Sequence, residues 1–482
     1  MKKKHAKKIS MNKKHVRNAI LILLALVLVS KLIYFFAWHE VWWDSGVYVG
    51  MGKHIWSAGE SGLLEHIRPP FWPLTLGFFW KLGLSPVFFG RLLEIILFLG
   101  IIWLVYKLTS SWFEERVGLI AAAIVSFSSI FYHLGFHLYT EIPAVFLVLL
   151  AIYLFEKKAV FTAGIITGLA FLTKFPTLLF FIVLGLVLIF RKEFRSIIPL
   201  TIGFVLPIVP FFISNFVFYG SFFEPLLAAN EVILRALGCN VLRYKPWWFY
   251  FQALFSSETK LHLFGILGLL LFFKEFSKKR LILLFSLVLP LAYFIQLHCR
   301  DYRYATLFIP FVACFTAFGL VFLFDLIFKN IKGHKIIFCV LTTLVLLFTF
   351  HTANAFYRAN EPAESDLVAQ RYFYFLQNKT VEGEIWVSNP IISAYTDLRL
   401  EKIYYPIFGE SVAADFSRYL KEHGDKISYV FLDNCGGGLI CHPEDAVCKE
   451  QTEKLIAQLD EGFIKVFDEE NKGCWYKIYA KT

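Results

Sequence analysis

Residues 18–37 read NAILILLALVLVSKLIYFFA, and this stretch decides the class of the protein. Apart from Lys31 the run is almost wholly apolar, and its length of about 20 residues is what an α-helix needs to cross a bilayer. Eight Lys and Arg side chains precede it within positions 1–17. A basic start and an apolar run also fit a signal peptide, but no small-residue cleavage site follows. We therefore interpret the run as an uncleaved first membrane span with a cytoplasmic N-terminus.

The composition extends this interpretation to the whole chain. Of 482 residues, 57% are hydrophobic and 18% are charged, whereas soluble domains have about 45–50% apolar and about 25% charged residues. So hydrophobic a chain is neither an ordinary soluble protein nor a disordered one. The apolar runs are continuous and lack the alternation of transmembrane β-barrel strands, so the composition predicts a helical membrane protein.

The net charge of +11 is unevenly distributed, and nucleic-acid binding does not explain it. Residues 357–482 contain 14 Lys and Arg against 21 Asp and Glu, which gives that part a charge of −7 and leaves +18 for residues 1–356. Much of the positive surplus lies in short stretches between apolar runs. This pattern is typical of the cytoplasmic loops of a membrane protein.

Further apolar runs follow the first, so we predict about eleven spans. They lie near 90–108, 117–133, 139–155, 159–173, 175–190, 196–213, 261–273, 281–297, 304–325 and 335–353. The connection 274–280, which we predict to be cytoplasmic, carries Lys and Arg, whereas the predicted outer turn 132–140 has neither. This asymmetry places segment 357–482 outside the cytoplasmic membrane.

Three parts are predicted: a basic cytoplasmic tail at 1–17, a transmembrane domain at 18–356 and a small α/β domain at 357–482. In the last part, strand-like pieces alternate with helical ones, which is typical of a layered α/β fold. The strand-like pieces lie at 384–387, 403–405, 429–432, 463–467 and 475–479, and the helical pieces at 411–422 and 446–459.

Four of the eight cysteines fall in this predicted outer domain: Cys435, Cys441, Cys448 and Cys474. An even number in an exported domain favours two disulfides. Free or metal-bound thiols are the alternative, although the spacing fits no common zinc motif.

The first outer loop, 38–89, has the densest set of functional candidates. Asp44 and Tyr48 share one helical face by their spacing, and the segment EHIRPP follows at 65–70. The two prolines would end one element and start the next. We therefore predict two helices along the membrane surface, with Asp44 and Arg68 facing a shared cavity. The alternatives are an N-cap role for Asp44 and an aromatic belt with solvated charges.

Later spans add charged residues at the same membrane level. Glu141 stands at the outer start of a span, where the helix dipole would also explain an acid. Lys174 lies in an outer turn, LTKFP. Arg300 and Arg303, in RDYRY at 300–304, either bind an anionic headgroup or snorkel to the interface.

A divalent metal is a further option on this side of the membrane. His54, His133 and His137 are all predicted to lie there and are potential ligands. Their spacing matches no specific metal site, so the sequence leaves metal binding open.

The order of these motifs resembles that of the GT-C class of membrane glycosyltransferases, in particular the protein O-mannosyltransferases and the lipid A aminoarabinose transferase. The matching segments, spread over roughly 37–320, are WDSGVY at 43–48, RPP at 68–70, TEIP at 140–143, LTKFP at 172–176 and RDYRY at 300–304. Many relatives have Asp-Glu at the first acidic motif, whereas here Ser45 follows Asp44. Any role of such a pair would fall on Asp44 alone, or partly on Glu40.

The resemblance implies a polyprenyl-phosphate sugar donor of the dolichyl or undecaprenyl type, a lipid, glycan or protein acceptor, and transfer at the outer side of the membrane. A carboxylate would accept the proton of the acceptor hydroxyl, and cations would stabilise the phosphate that leaves. A single displacement would invert the anomeric centre. The implied catalytic residues are Asp44 as the base and Glu141, which would orient the acceptor or polarise the surroundings of Asp44. The residues implied around the phosphate are Arg68, Lys174, Arg300 and Arg303, and those in support are Tyr48, Glu65, His66, Tyr139 and Tyr304.

Three other classes compete with this interpretation. A ligase or polymerase of lipid-linked glycans would use the same lipid-phosphate chemistry. A secondary transporter would favour charges at the bilayer midplane and similar halves, and the sequence shows neither pattern. The cluster of outer acids and bases argues against an inactive membrane scaffold.

The charge asymmetry makes a topology prediction. Single cysteines introduced at Lys332 and Asn378 should react with a membrane-impermeant thiol reagent from opposite sides of the membrane, with Asn378 on the outer side. Reaction of both positions from the same side would show that the predicted number of spans is wrong.

Overall fold

The computed structural model describes residues 13–36, 41–236, 245–297, 300–328, 331, 333–360, 366–404, 412–434, 439, 441 and 446–481. Glu40 and Cys435 lie outside these described residues. The described chain is mostly helical up to residue 360 and mixed α/β beyond it.

Helices α1 to α16 make up the first part, with short 3₁₀ turns and loops between them. Their bounds are α1 (Lys13–Phe35), α2 (Trp43–Trp56), α3 (Phe71–Lys81), α4 (Pro86–Trp112), α5 (Glu115–Ser126), α6 (Ser129–Leu134), α7 (Glu141–Glu156), α8 (Val160–Thr173), α9 (Leu178–Arg191), α10 (Ile197–Tyr219), α11 (Glu224–Ala236), α12 (Phe249–Ala253), α13 (Leu263–Lys274), α14 (Leu281–Gln296), α15 (Ile309–Phe328) and α16 (His334–Asn360). Buried Leu, Ile, Val and Phe side chains from most of these helices form one continuous core.

Six helical segments among the described residues are long and apolar enough to cross a membrane. They are His15–Phe35, Pro86–Trp112, Phe194–Tyr219, Lys278–Gln296, Ile309–Phe328 and His334–Asn360. The other five predicted spans coincide with shorter helices, from the α5–α6 pair to α13. An integral membrane protein follows from these helices, while the number of eleven spans stays a prediction.

Lys31 interrupts the first apolar run, and the structure shows how its charge is accommodated. The side chain is fully buried, and its Nζ donates a hydrogen bond of 2.9 Å to the backbone oxygen of Tyr132. The same ammonium lies 4.1 Å from the centre of the Tyr132 ring. Lys31 therefore ties α1 to α6 within the helical core, because a charge at this depth requires a polar partner.

The first outer loop forms two helices, α2 and α3, as the proline signal indicated. They cross at Gly52 and Gly77, where the backbones approach so closely that a Cβ on Gly52 would lie 2.5 Å from the Pro73 carbonyl oxygen. Only glycine fits this crossing. The close contact fixes the direction of α2, whose N-terminal turn carries Asp44.

The C-terminal part contains a five-stranded sheet with helices packed on it. Its elements are α17 (Leu367–Phe373), β1 (Glu384–Val387), β2 (Glu401–Lys402), α18 (Val412–His423), β3 (Ile427–Asp433), α19 (Ala446–Gly462), β4 (Ile464–Asn471) and β5 (Cys474–Ala480). The strand order is β2-β1-β3-β5-β4. β1 pairs in parallel with β2 and β3, whereas β5 is antiparallel to β3 and β4. The predicted small sheet is thus present, but its second strand is Glu401–Lys402, which lies just before the predicted piece at 403–405.

Disulfide bonds cross-link this C-terminal part. Cys441 is bonded to Cys448, which joins the segment before α19 to the first turn of that helix. Cys474, at the start of β5, is also disulfide-bonded. In the helical part, Cys314 and Cys339 are free thiols.

These bonds give a redox prediction. When the protein is denatured without reductant, peptides with Cys441, Cys448 and Cys474 should escape alkylation, because disulfide sulfurs do not react with the reagent. Cys339 should be alkylated in the same sample and serves as the internal control. Mass spectrometry before and after reduction measures the difference, and alkylation of Cys441 without reductant would contradict the pairing.

Candidate active site

Asp44 lies at the centre of a group of buried charges. It is the second residue of α2, so it stands inside the helix and not at its N-cap, which is Trp42. Its Oδ1 accepts a hydrogen bond of 2.8 Å from Arg68, and its Oδ2 accepts one of 2.6 Å from Arg303. Only 14% of the Asp44 side chain is exposed. Both oxygens of one carboxylate are therefore held by guanidinium groups from separate parts of the chain.

Arg68 is positioned by a tight turn just before the two prolines that start α3. Its backbone N–H donates a hydrogen bond of 3.1 Å to the Glu65 carbonyl oxygen, and its Nε donates one of 2.7 Å to Glu65 Oε1. Glu65 itself is fully buried. The guanidinium thus bridges two carboxylates, Glu65 and Asp44, which fixes its plane.

Arg303 is positioned by a similar device on another element. It lies in the 3₁₀ helix Tyr302–Leu307, whose N-cap is Asp301. The Asp301 side chain accepts from the Arg303 backbone N–H at 2.9 Å and from its Nε at 3.1 Å. The result is an alternating chain of charges, Glu65–Arg68–Asp44–Arg303–Asp301.

A second ion pair stands behind this chain. Lys174 has an extended backbone and lies between α8 and a 3₁₀ turn. Its Nζ donates a hydrogen bond of 2.7 Å to Glu141 Oε1. Glu141 is the first residue of α7, and its side chain is 2% exposed. The positive charge of Lys174 is close enough to Asp44 to help lower the pKa of the Asp44 carboxyl. Glu141 is thus paired with Lys174, and its negative charge also acts on Arg303.

The electrostatics of the group are dominated by its cations. Burial by itself would raise the pKa of the Asp44 carboxyl, but the charges of Arg68 and Arg303 more than offset this and hold that pKa below its ordinary value. Asp44 is therefore ionised at neutral pH. A carboxylate with a lowered pKa is a weak proton acceptor for as long as both arginines remain on it.

Aromatic rings enclose these charges. The Arg68 guanidinium lies 5.8 Å from the centre of the Tyr48 ring, and the Arg303 guanidinium lies 4.9 Å from that of Tyr139. Tyr304 lies under Lys174, with 5.3 Å between the ammonium and the ring centre. Each predicted supporting tyrosine thus contacts a cation of the group, and burial raises the pKa of the Tyr48 phenol.

Two predicted residues do not join the ion-pair chain. Arg300 is buried, and its guanidinium donates hydrogen bonds to the backbone oxygens of Lys245 and Ile295. It therefore stabilises these backbone segments and does not bind Asp44. His66 is half-buried beside the Tyr219 ring, at 5.4 Å between centroids. We therefore leave Arg300 out of the proposed phosphate site.

The structure adds residues that the sequence did not assign to the site. Asp301 orients Arg303, and its Asp-x-Arg spacing is a short capping motif that could have been recognised. Lys402, on β2, is the other addition. Burial lowers the pKa of its ammonium, and the charges of Glu65 and Arg68 are close enough to act on it. No local pattern could have indicated this contact from the C-terminal part.

Ser45 and the histidines bear on the questions of a second acid and of a metal. Ser45, which follows Asp44, is buried and donates to the backbone oxygen of His137. His133 and His137 are buried side by side, with 4.8 Å between ring centroids. Within the described ranges, no three His, Cys, Asp or Glu side chains lie close enough together to hold a metal ion.

Comparisons with known proteins give the family context for this geometry. Residues 67–215 match the family of dolichyl-phosphate-mannose-protein mannosyltransferases. This match includes Arg68, Glu141 and Lys174, but it covers less than half of the chain. No curated protein matches the chain by sequence.

Solved structures extend the likeness to nearly the whole chain. The oligosaccharyltransferase of Archaeoglobus fulgidus in its apo form has a TM-score of 0.63 at 14% identity, covering 98% of this chain and 75% of that one. ArnT from Cupriavidus metallidurans bound to undecaprenyl phosphate has a TM-score of 0.63 at 12% identity, covering 96% and 98%. The mycobacterial arabinofuranosyltransferase AftD has a TM-score of 0.51 at 12% identity, covering 98% and 42%. The chain therefore has the fold of the GT-C glycosyltransferases, and the resemblance indicated by its sequence motifs is confirmed.

Proposed function

We propose that this protein is a membrane glycosyltransferase that moves a sugar from a polyprenyl-phosphate donor to an acceptor on the outer side of the cytoplasmic membrane. The observation that carries the proposal is the buried Asp44 carboxylate held between Arg68 and Arg303. A carboxylate and two guanidinium groups are the parts that a sugar transfer with a phosphate leaving group requires.

The nature of the donor is supported by the solved structures of similar fold. ArnT was solved with undecaprenyl phosphate, and an archaeal oligosaccharyltransferase, AglB from Archaeoglobus fulgidus, was solved with a dolichol-phosphate and an inhibitory peptide. We infer the same class of lipid phosphate for this chain. The N-terminus is proposed to be cytoplasmic, and the domain at 357–482 is proposed to face the outer side with the donor headgroup.

Arg68 and Arg303 are the proposed ligands of the donor phosphate. Guanidinium groups bind phosphate oxygens through paired hydrogen bonds, and these two groups converge on one point, where both now bind the Asp44 carboxylate. Lys174 adds a third positive charge behind them, and its ion pair with Glu141 fixes its position. Glu141 thus assists the phosphate site indirectly.

Donor binding would change the state of Asp44. The phosphate and the Asp44 carboxylate are both anions and require the same two guanidinium groups. When the phosphate takes over these hydrogen bonds, Arg68 still keeps Glu65 and Arg303 still keeps Asp301, so neither arginine loses its position. The negative charge of the phosphate offsets the two guanidinium charges that lower the pKa of Asp44, so the basicity of this carboxylate rises toward the ordinary value. The base would thus become active when the donor is in place.

The proposed step is a single displacement. The acceptor hydroxyl oxygen forms a bond to the anomeric carbon as the bond from that carbon to the phosphate oxygen breaks. The acceptor proton passes to Asp44, and the electron pair of the broken bond leaves with the polyprenyl phosphate, stabilised by Arg68 and Arg303. Attack opposite the leaving group would invert the anomeric centre.

Replacement of Asp44 tests the base. Asp44→Asn keeps the size and one hydrogen-bond acceptor but removes the proton affinity, so transfer should slow by about 10²–10⁴-fold, or roughly 3–5 kcal/mol at the barrier. Release of undecaprenyl phosphate from labelled undecaprenyl-phosphate sugars, with membrane extract as the acceptor source, measures the rate.

Asp415→Asn is the matched control, since it makes the same change at an exposed residue of α18 and should leave transfer unchanged. Folding of each variant is checked by gel filtration in detergent. A folded Asp44→Asn protein with near-normal turnover would remove Asp44 from the mechanism.

Competition between Asp44 and the phosphate makes a second, opposite prediction for the same variant. Asp44→Asn should bind undecaprenyl phosphate about tenfold more tightly than the wild type, because the phosphate no longer has to break two charge-assisted hydrogen bonds to a carboxylate. Arg68→Ala should bind it more weakly. Titration of labelled lipid into purified protein measures both.

Weaker binding by Asp44→Asn would contradict the competition and would indicate that Asp44 contributes to the phosphate site, for example through a divalent metal. Repeating the titration with a chelator distinguishes that case, because chelation would then weaken binding by the wild type as well.

A further inference from the structure

Helix α2 presents one face to the charged group and the opposite face to the C-terminal part. Successive residues advance about 100° around a helix, so Gly46, Gly50 and Lys53 lie about 180–240° from Asp44. Tyr48, only about 40° from Asp44, shares the face that meets Arg68. The back of α2 is thus a separate surface, made of two glycines and one lysine.

The glycines allow the C-terminal part to reach the helix backbone. A Cβ on Gly46 would lie 2.6 Å from the Pro390 carbonyl oxygen, and one on Gly50 would lie 2.9 Å from the Ser393 Cβ. Ser393 Oγ donates a hydrogen bond of 2.6 Å to the Gly46 carbonyl oxygen. Any larger side chain at these two positions would push the 3₁₀ segment Pro390–Ala394 away from α2.

Lys53 makes the strongest contact of this surface. Its ammonium donates to the Ser393 carbonyl oxygen at 2.9 Å and to the Thr396 carbonyl oxygen at 2.8 Å, and it pairs with Asp397 Oδ1 at 2.9 Å. All three of its donors are used, although only 2% of the residue is exposed. A buried lysine with every hydrogen bond made fixes both elements that it joins.

The loop after α2 is joined to the same domain. The Gly62 N–H bonds the Leu398 carbonyl oxygen at 3.0 Å, and the Leu400 N–H bonds the Gly62 carbonyl oxygen at 2.8 Å. Leu63 is 1% exposed and packs in the core of the sheet with Ile385 and Ile392. The segment between Asp44 and Arg68 therefore belongs physically to the C-terminal part.

We propose that residues 390–397 position Asp44 by holding the back of α2, with Lys53 as the positioning residue. This inference rests on the proposed role of Asp44 as the base. Nine residues separate Lys53 from Asp44, about 13 Å along the helix, so Lys53 does not reach the reacting atoms. Its influence is on the rotation of α2, and a misplacement of about 1 Å at a reacting group can cost about 10²-fold in rate.

The test replaces Lys53 with methionine, which keeps the apolar stem and removes all three donors. In Lys53→Met we expect kcat to fall at least about tenfold while KM for the donor stays within about threefold. Deuterium uptake in peptides covering 43–56 should become faster, because α2 has lost its anchor. Lys53→Arg keeps several donors and should recover part of the kcat.

Lys81→Met is the matched control, since Lys81 is an exposed residue at the end of the neighbouring helix α3 and should behave as the wild type. Wild-type kcat in Lys53→Met, or a loss of kcat with unchanged uptake at 43–56, would overturn the inference. If Lys53→Met does not fold, Ser393→Ala decides it, because this variant loses only the bond to Gly46 and should still show faster uptake at 43–56 and a lower kcat.

This experiment distinguishes a failure of the proposed function from a failure of the proposed anchor. Absence of transfer by the wild-type protein would overturn the proposed function. Faster uptake in Lys53→Met would then still show that residues 390–397 hold α2, whereas unchanged uptake would exclude the anchor independently of any enzymatic assay.

Discussion

The charge balance around Asp44 is the constraint on which the assembly of this site depends. Ions that leave water must be paired, and an unpaired buried charge costs several kcal/mol. Here the pairing alternates, so that Asp44 stands between two arginines and each arginine has a second carboxylate of its own. The partners come from α2, from the turn before α3 and from the 3₁₀ helix before α15, so the balance exists only when these elements have assembled.

The alternation of acids and arginines also gives each arginine a second carboxylate partner besides Asp44. A single Asp–Arg pair would lose its geometry once a ligand displaced the aspartate. In the present arrangement the acids at the two ends of the chain of charges, Glu65 and Asp301, bind the arginines independently of Asp44.

The sequence predicts the helical architecture well because apolar runs record burial and lipid contact directly. Every predicted run coincides with a helix, although helix length alone leaves five of them too short to be assigned as spans. Asp44 and Arg68 could be placed together because both lie in the predicted loop 38–89. By contrast, Arg300 and Arg303 are equivalent in the sequence, and only the Asp301 cap and the backbone oxygens near Arg300 separate their roles. The contact of Lys53 with Ser393 joins residues 340 positions apart, and no local pattern indicates it.

Lys31 has a consequence for the biosynthesis of the protein. A lysine within a span makes membrane insertion less favourable, by about 2.5–3.5 kcal/mol at the helix centre and by less toward the ends. Lys31 lies four residues before the end of α1, and its partner, the Tyr132 carbonyl oxygen, is 101 residues further along the chain. The first helix therefore enters the bilayer before the group that satisfies its charge has been synthesised. Until then, the position of this helix in the membrane depends on the basic residues before it and on the apolar residues around Lys31. The helix takes up its final packing only when α6 has been synthesised. The N-terminal span thus cannot reach its final position until chain elongation has passed Tyr132.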